Sequence, residues 1–148
     1  MTKTARLKLV SSMLLLACGF CVGSVFRPWS SVHAQSSTRV FEIRTYTAAD
    51  GKLDALNARF RDHTNALFAK HGMKIVGFWV PSDKDRGAEN TLVYLLEFPD
   101  RAAREKSWDD FRKDPQWIAV RDASEANGKI VEKVDSLLLT ATDYSPMK

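Results

Sequence analysis

Apolar residues along this chain recur first at steps of two, then at steps of three and four, and each switch marks a structural element. From Arg39 to Thr47 the pattern alternates. Phe41, Ile43 and Thr45 fall on one side and Val40, Glu42, Arg44 and Tyr46 on the other, which predicts a strand with two unlike faces. Asp50-Gly51 closes it, and Asp50 is the expected cap of a helix running from about Lys52 to Lys70. Leu53, Leu56, Phe60, Leu67 and His71 form the apolar stripe of that helix, with His63 or Thr64 filling the gap between Phe60 and Leu67. Gly72 stands where a left-handed terminator is wanted. Met73 to Val80 reads as the second strand, ended by Pro81.

The charged run from Ser82 to Glu89 predicts a solvated loop, and Asn90 to Phe98 a third strand with a nearly continuous apolar centre. A helix follows from Arg101 to about Lys113, with Ala103, Trp108 and Phe111 inward. Asp114-Pro115 then caps a second helical piece from Gln116 to Ala126, with Trp117, Val120 and Ala123 on one side. Gly128 stops it before a fourth strand, Lys129 to Thr142. The order β-α-β-β-α-(α)-β predicts an α+β, ferredoxin-like sandwich, a four-stranded antiparallel sheet with helices on one face. Both faces of these strands carry large apolar residues, so the open face, expected to hold Tyr46, Phe78 or Trp79 and the Leu-rich third strand, calls for a cover. A self-complementary homodimer supplies one most simply.

Residues 1–34 stand apart from this pattern. Lys3, Arg6 and Lys8 precede an apolar run from Leu9 to Phe26, and Val32-His33-Ala34 offers a cleavage site before Gln35. These are the parts of a secretory signal peptide, which predicts a periplasmic or secreted protein. The same run, uncleaved, would make residues 9–26 a membrane anchor; Leu15-Leu16-Ala17-Cys18 matches a lipoprotein box poorly. Residues 35–38 form a polar lead-in, and residues 39–148 the domain.

Removing the leader changes the charge and the chemistry. The chain has 22 Lys and Arg against 18 Asp and Glu; four of those bases (Lys3, Arg6, Lys8, Arg27) and no acid lie in the leader, so the remainder is formally neutral. No nucleic-acid partner is therefore expected from its charge. Cys18 and Cys21, spaced C-x-x-C, also belong to the leader, which leaves the domain without a disulfide or thiolate site.

The stretches VFEIRTYT (40–47), FRDHTNALFAKHGMKIVGFW (60–79), NTLVYLLEF (90–98), SWDDFRKDPQWIAVRDASE (107–125) and LLLTATDYSP (137–146) resemble the NIPSNAP domain family, within the dimeric α/β-barrel superfamily. The resemblance implies a ferredoxin-like protomer and a homodimeric barrel. It also implies a lineage whose eukaryotic members are linked to mitochondria and vesicle traffic, from which a secretory leader departs. Superfamily relatives include cofactor-independent monooxygenases and haem-handling proteins, so a small apolar or aromatic ligand in the barrel is the expected function, with enzymatic activity left open. The alternative is a non-catalytic interaction module, a homodimeric scaffold or adaptor of the cell envelope.

His63, beside the apolar stripe, is the sharpest candidate for proton transfer, since imidazole titrates near neutrality. His71 has a sufficient explanation as a helix-terminal residue. The two histidines are separated by about 12 Å along a straight helix, too far to share one metal ion, and no metal site is expected. Arg44 and Tyr46, beside Glu42, would form a polar cluster in an apolar cavity if their face lined the barrel. Trp79 and Tyr94 complete the candidate ligand-binding set, while Trp108 reads as core. No cofactor is expected; haem would need His63 or His71 as its axial ligand.

Overall fold

In the computed structural model, which describes residues 39–148, the opening alternation becomes strand β1 (Val40–Ala48). Helix α1 (Leu53–Arg59), a π-helical turn (Phe60–Thr64) and helix α2 (Asn65–Lys70) follow, then strands β2 (Lys74–Trp79) and β3 (Thr91–Phe98). Helices α3 (Arg101–Lys113) and α4 (Pro115–Ser124) lead into strand β4 (Val131–Thr140). The predicted leader with Cys18 and Cys21, its cleavage point and the lead-in 35–38 lie outside the described residues. No helix among the described residues is long and apolar enough to cross a membrane.

All strand pairs are antiparallel and the sheet order is β2-β3-β1-β4. This is the ferredoxin-like arrangement expected from the element order. Directly paired residues share a sheet face, so the register sorts the side chains. Glu42 lies opposite Leu96 and Leu138, Arg44 opposite Tyr94 and Ser136, and Tyr46 opposite Leu92 and Val134. These face the helices. Phe41, Ile43, Leu95, Val93, Leu137 and Leu139 share the other face, together with Trp79, the partner of Val93.

That sorting corrects one expectation. Tyr46 and Phe78 do not lie on the open face: both ring systems pack against Phe60 of the π-turn, at centroid distances of 5.6 and 5.5 Å. Helical cover went to the face carrying more of the aromatic rings, Tyr46, Phe78 and Tyr94. Phe60, Phe68, Tyr94, Trp108 and Phe111 continue this aromatic core, with Phe68 touching Phe60, Tyr94, Trp108 and Phe111 at 5.1–6.0 Å. Phe41, on the open side, is nonetheless only 4% exposed. It lies with Leu95 and Leu139 under the C-terminal segment, whose Met147 and Ser145 line the same depression.

The first helix is not the single α-helix its periodicity predicts. Five residues adopt π geometry, and the Thr64 hydroxyl donates to the Arg59 carbonyl at 3.1 Å. The turn accommodates the long step from Phe60 to Leu67: Phe60, Thr64, Leu67 and Phe68 are all buried, while His63 turns outward. Asp50 does not cap α1, whose start at Lys52 carries no side-chain cap. The C-terminal end follows expectation closely. Gly72 has φ +72°, its N–H reaches the Ala69 carbonyl at 3.1 Å, and the Met73 N–H reaches the Phe68 carbonyl at 2.9 Å. This paired bonding is the Schellman terminator, with Phe68 and Met73 supplying its apolar contact.

The later helices are capped by aspartates. The Asp100 carboxylate accepts from the Ala103 N–H at 2.7 Å, and Asp114 accepts from the Gln116 N–H at 2.8 Å with Pro115 opening α4. Each cap of this kind is worth about 1 kcal/mol.

Gly77 has a local role on the open face. A Cβ there would meet the Cη2 and Cζ2 atoms of Trp79 at 2.8 Å, so the indole lies across the glycine. Trp79 is 52% exposed and free to swing out. Gly77→Ala is therefore expected to shift the Trp79 indole N–H resonance while changing stability by less than about 1 kcal/mol. An unmoved indole signal would contradict this packing.

Candidate functional site

The alternation of β1 carries a carboxylate into the layer between sheet and helices. Glu42 is 0% exposed, a position that an ionised group tolerates only when fully hydrogen-bonded. Four side chains from three elements supply the bonds. Arg104 of α3 donates from Nε at 2.8 Å and from Nη2 at 2.9 Å, Trp108 Nε1 at 2.6 Å, Ser136 Oγ of β4 at 2.5 Å, and Arg44 Nη1 at 3.0 Å. Burial by itself would raise the Glu42 carboxyl; the bonds from Arg104, Ser136 and Trp108 and the Arg44 charge outweigh it and hold the pKa at about 2. Glu42 is an anionic hub that joins β1, α3 and β4.

Arg44, two residues along the same face, is shaped by that hub. Its guanidinium lies over the Trp108 ring, 4.2 Å from the centroid, and 5.6 Å from that of Tyr46. Burial acts to lower its pKa, but the net displacement is upward, with the Glu42 carboxylate charge and hydrogen bond acting against burial, so the group stays charged. Its Nε is buried and, among the described residues, has no hydrogen-bond partner. The Tyr94 hydroxyl donates to the Tyr46 hydroxyl at 3.2 Å, and burial pushes the Tyr94 phenol well above its ordinary pKa, so it stays neutral. The result is a fixed cation with a buried, unused Nε–H beside a pair of phenols, walled by Phe60, Phe78 and Trp108.

Of the predicted site residues, Arg44, Tyr46 and Tyr94 come together here. They do so between sheet and helices rather than on the open face, so they do not line a barrel made of open faces. Trp79 is on the opposite side of the sheet. His63 does not reach this layer: it is exposed on the outer helical surface, against α4. The π-turn carries it there by placing Thr64 inward. His71 Nε2 is 2.7 Å from Asp114 Oδ2, which Lys70 Nζ also reaches at 2.7 Å. These bonds from Lys70 and His71, with the Gln116 N–H, hold the Asp114 carboxyl well below the usual carboxylate range. They make His71 a tie between α2 and the α3–α4 joint.

Neither histidine belongs to this cluster: His71 is tied to Asp114 at the α3–α4 joint and His63 faces outward. Among the described residues no three His, Cys, Asp or Glu side chains converge as a metal site. The sequence pattern marks Glu42 only as the neighbour of Arg44 and Tyr46 and Trp108 only as core, and it does not mark Arg104 or Ser136. The available signal was Glu42 itself, a carboxylate on a strand face otherwise bound for burial.

Fold and cluster together define an α+β ferredoxin-like domain with a polar core beneath its helices. The NIPSNAP family model matches residues 41–146, and the chain belongs to that family. A NIPSNAP family protein from Agrobacterium tumefaciens superposes with a TM-score of 0.65 at 19% identity, covering 74% of this chain and 99% of that one. A NIPSNAP-like domain protein from Burkholderia xenovorans gives 0.64 at 15% identity, covering 74% and 90%. SnoaB, a cofactor-independent oxygenase from Streptomyces nogalater, gives 0.50 at 18% identity, covering 73% and 97%. Comparison with curated protein sequences finds no match.

Proposed function

We propose that this NIPSNAP protein is exported and acts as a homodimer that binds a small aromatic ligand through Arg44 and Tyr46. The N-terminal segment supports export, with its basic start, apolar run and Val-His-Ala cleavage site. Strand β4 supports the homodimer, as an edge strand with exposed apolar residues on both faces: Val134 on one, Leu137 and Leu139 on the other.

The observation that carries ligand binding is the unpartnered Nε of Arg44. A buried donor left unmade costs roughly 1–3 kcal/mol, and a ligand oxygen that accepts from it recovers that cost. Arg44 and Tyr46 are partly open to solvent beside the exposed Ser136 and Val134 of β4, which gives the ligand an approach. The ligand class is an aromatic ring system bearing a phenolic or carbonyl oxygen, held by Arg44 and Tyr46 against the surrounding rings.

Binding rather than turnover is the favoured reading. A general base is needed for most chemistry on such a ligand, and this cluster has none to spare. Glu42 is saturated with donors, the Tyr94 phenol is held neutral, and both histidines lie elsewhere.

Arg44→Lys tests the reading, because lysine keeps the positive charge beside Glu42 but has no Nε–H. Titration with 1-naphthol, followed by amide NMR, is expected to show saturable shifts in β1 and α3 of the native protein. Arg44→Lys should weaken that binding about tenfold, roughly 1.4 kcal/mol. Equal affinity in the two proteins, or no saturable shift in either, would overturn the assignment.

A further inference from the structure

Across the helical layer from that cluster, the π-turn and α4 enclose a trough of about 480 Å³, within the range of small-molecule sites. Its floor is made of small apolar side chains, Ala55 and Ala58 from α1 and Ala119, Val120 and Ala123 from α4. A second depression of about 250 Å³ shares Asp62, His63 and Val120 with it and extends the trough to Gln116. The π geometry matters here, since such turns interrupt α-helices frequently at functional sites. The turn presents Asp62 and His63 side by side to the trough, and among the described residues neither side chain makes a hydrogen bond or ion pair.

The third polar element is Arg59. It is 5% exposed and lines the trough, with Nη1 bonded to Ser124 Oγ and Glu125 Oε1, each at 3.2 Å. Its Nε is buried with no partner among the described residues. Glu125 neutralises the Arg59 charge, so the unbalanced charge facing the trough is the Asp62 carboxylate, next to an imidazole nitrogen able to accept. Two adjacent acceptors suit a cation with several N–H bonds, and the unused Arg59 N–H suits an oxygen on the same molecule. The small-residue floor leaves room for an apolar body.

We propose that this trough is a second binding site, for a small primary amine carrying an aromatic or apolar body and a neighbouring hydroxyl or carbonyl oxygen. The ammonium sits between Asp62 and His63, and the oxygen accepts from Arg59. The proposal is independent of the Arg44 site.

Amide NMR titration of the purified protein with 2-amino-1-phenylethanol tests it, with 3-phenylpropionate as the anionic probe of similar size. Saturable shifts confined to α1, the π-turn and α4 are expected with the amine, and none with the carboxylate. Asp62→Asn, at an exposed position, should weaken amine binding at least tenfold without altering the thermal midpoint. Val120→Trp, which fills the trough, should abolish it. Equal binding of the two probes, an unchanged affinity in Asp62→Asn, or no saturable shift at a probe concentration of about 5 mM, well above weak millimolar affinity, would each overturn the assignment.

Discussion

Glu42→Gln is expected to lower the unfolding free energy by about 3 kcal/mol at neutral pH, roughly 10–20 °C in thermal midpoint for a domain of this size. The replacement keeps the shape of the side chain but removes the charge that Arg44 and Arg104 are arranged around. The amide also brings two donors into a place where every neighbour is already donating. The cost therefore comes from two arginines left partly unpaired as much as from the lost bonds.

The same residue sets the acid limb of stability. Its carboxyl is lowered from 4.5 to about 2 in the folded protein. A group depressed on folding stabilises fully above its unfolded value, and that contribution disappears as pH falls through its folded value. About 3 kcal/mol should therefore be lost between about pH 4.5 and pH 2 in the native protein. Asp114, whose carboxyl is also lowered, adds a loss of the same sign. Urea denaturation at a series of pH values checks the point: the Glu42→Gln curve should be distinctly flatter. Parallel curves for the two proteins would remove Glu42 from the account.

If the proposed homodimer forms through the open face, Leu137→Asp is expected to convert it to a folded monomer, read as a halving of mass by light scattering with an unchanged circular dichroism spectrum. Leu137 is 59% exposed in the protomer, the largest fraction of any apolar residue in β4, so the charge costs little before association. In a dimer built on the open face, the new carboxylates would be buried among Ile43, Leu95, Leu139 and Trp79, where an unpaired charge costs several kcal/mol. Ile118→Asp, exposed on α4 away from the sheet, serves as the control and should remain dimeric. A dimer that survives Leu137→Asp would place the interface elsewhere. A monomeric native protein would remove the homodimer and favour a different protein as the partner of β4.

Much of the fold was legible in residue spacing because its signals are local. Alternation in β1, the Gly72 terminator, and the Asp114-Pro115 start of α4 each depend on backbone geometry within a few residues. The family signature added the same architecture from a separate direction. The π-turn was not legible, although its trace was visible in the uneven step from Phe60 to Leu67. Periodicity assumes one helical pitch, and a single five-residue turn falls within the tolerance of that assumption.

The candidate site divides in the same way. Placing Glu42, Arg44 and Tyr46 on one side of β1 follows from the two-residue repeat of a strand, which holds in any packing. Whether that side met helices or lay open could not follow from it. Both sides are apolar enough to be buried, and the choice depends on how the faces of distant helices compete for them. The partners that make Glu42 a hub, Arg104, Trp108 and Ser136, lie 62, 66 and 94 residues away along the chain. His63 shows the converse: its imidazole chemistry is a property of the residue, but its position on the outer surface came from a one-residue change of helical pitch. Local order along the chain set the elements and their two-sidedness. The inward face, the donors around the buried carboxylate and the removal of His63 from the core arose only when those elements packed, because each depends on contacts between segments that no local pattern relates.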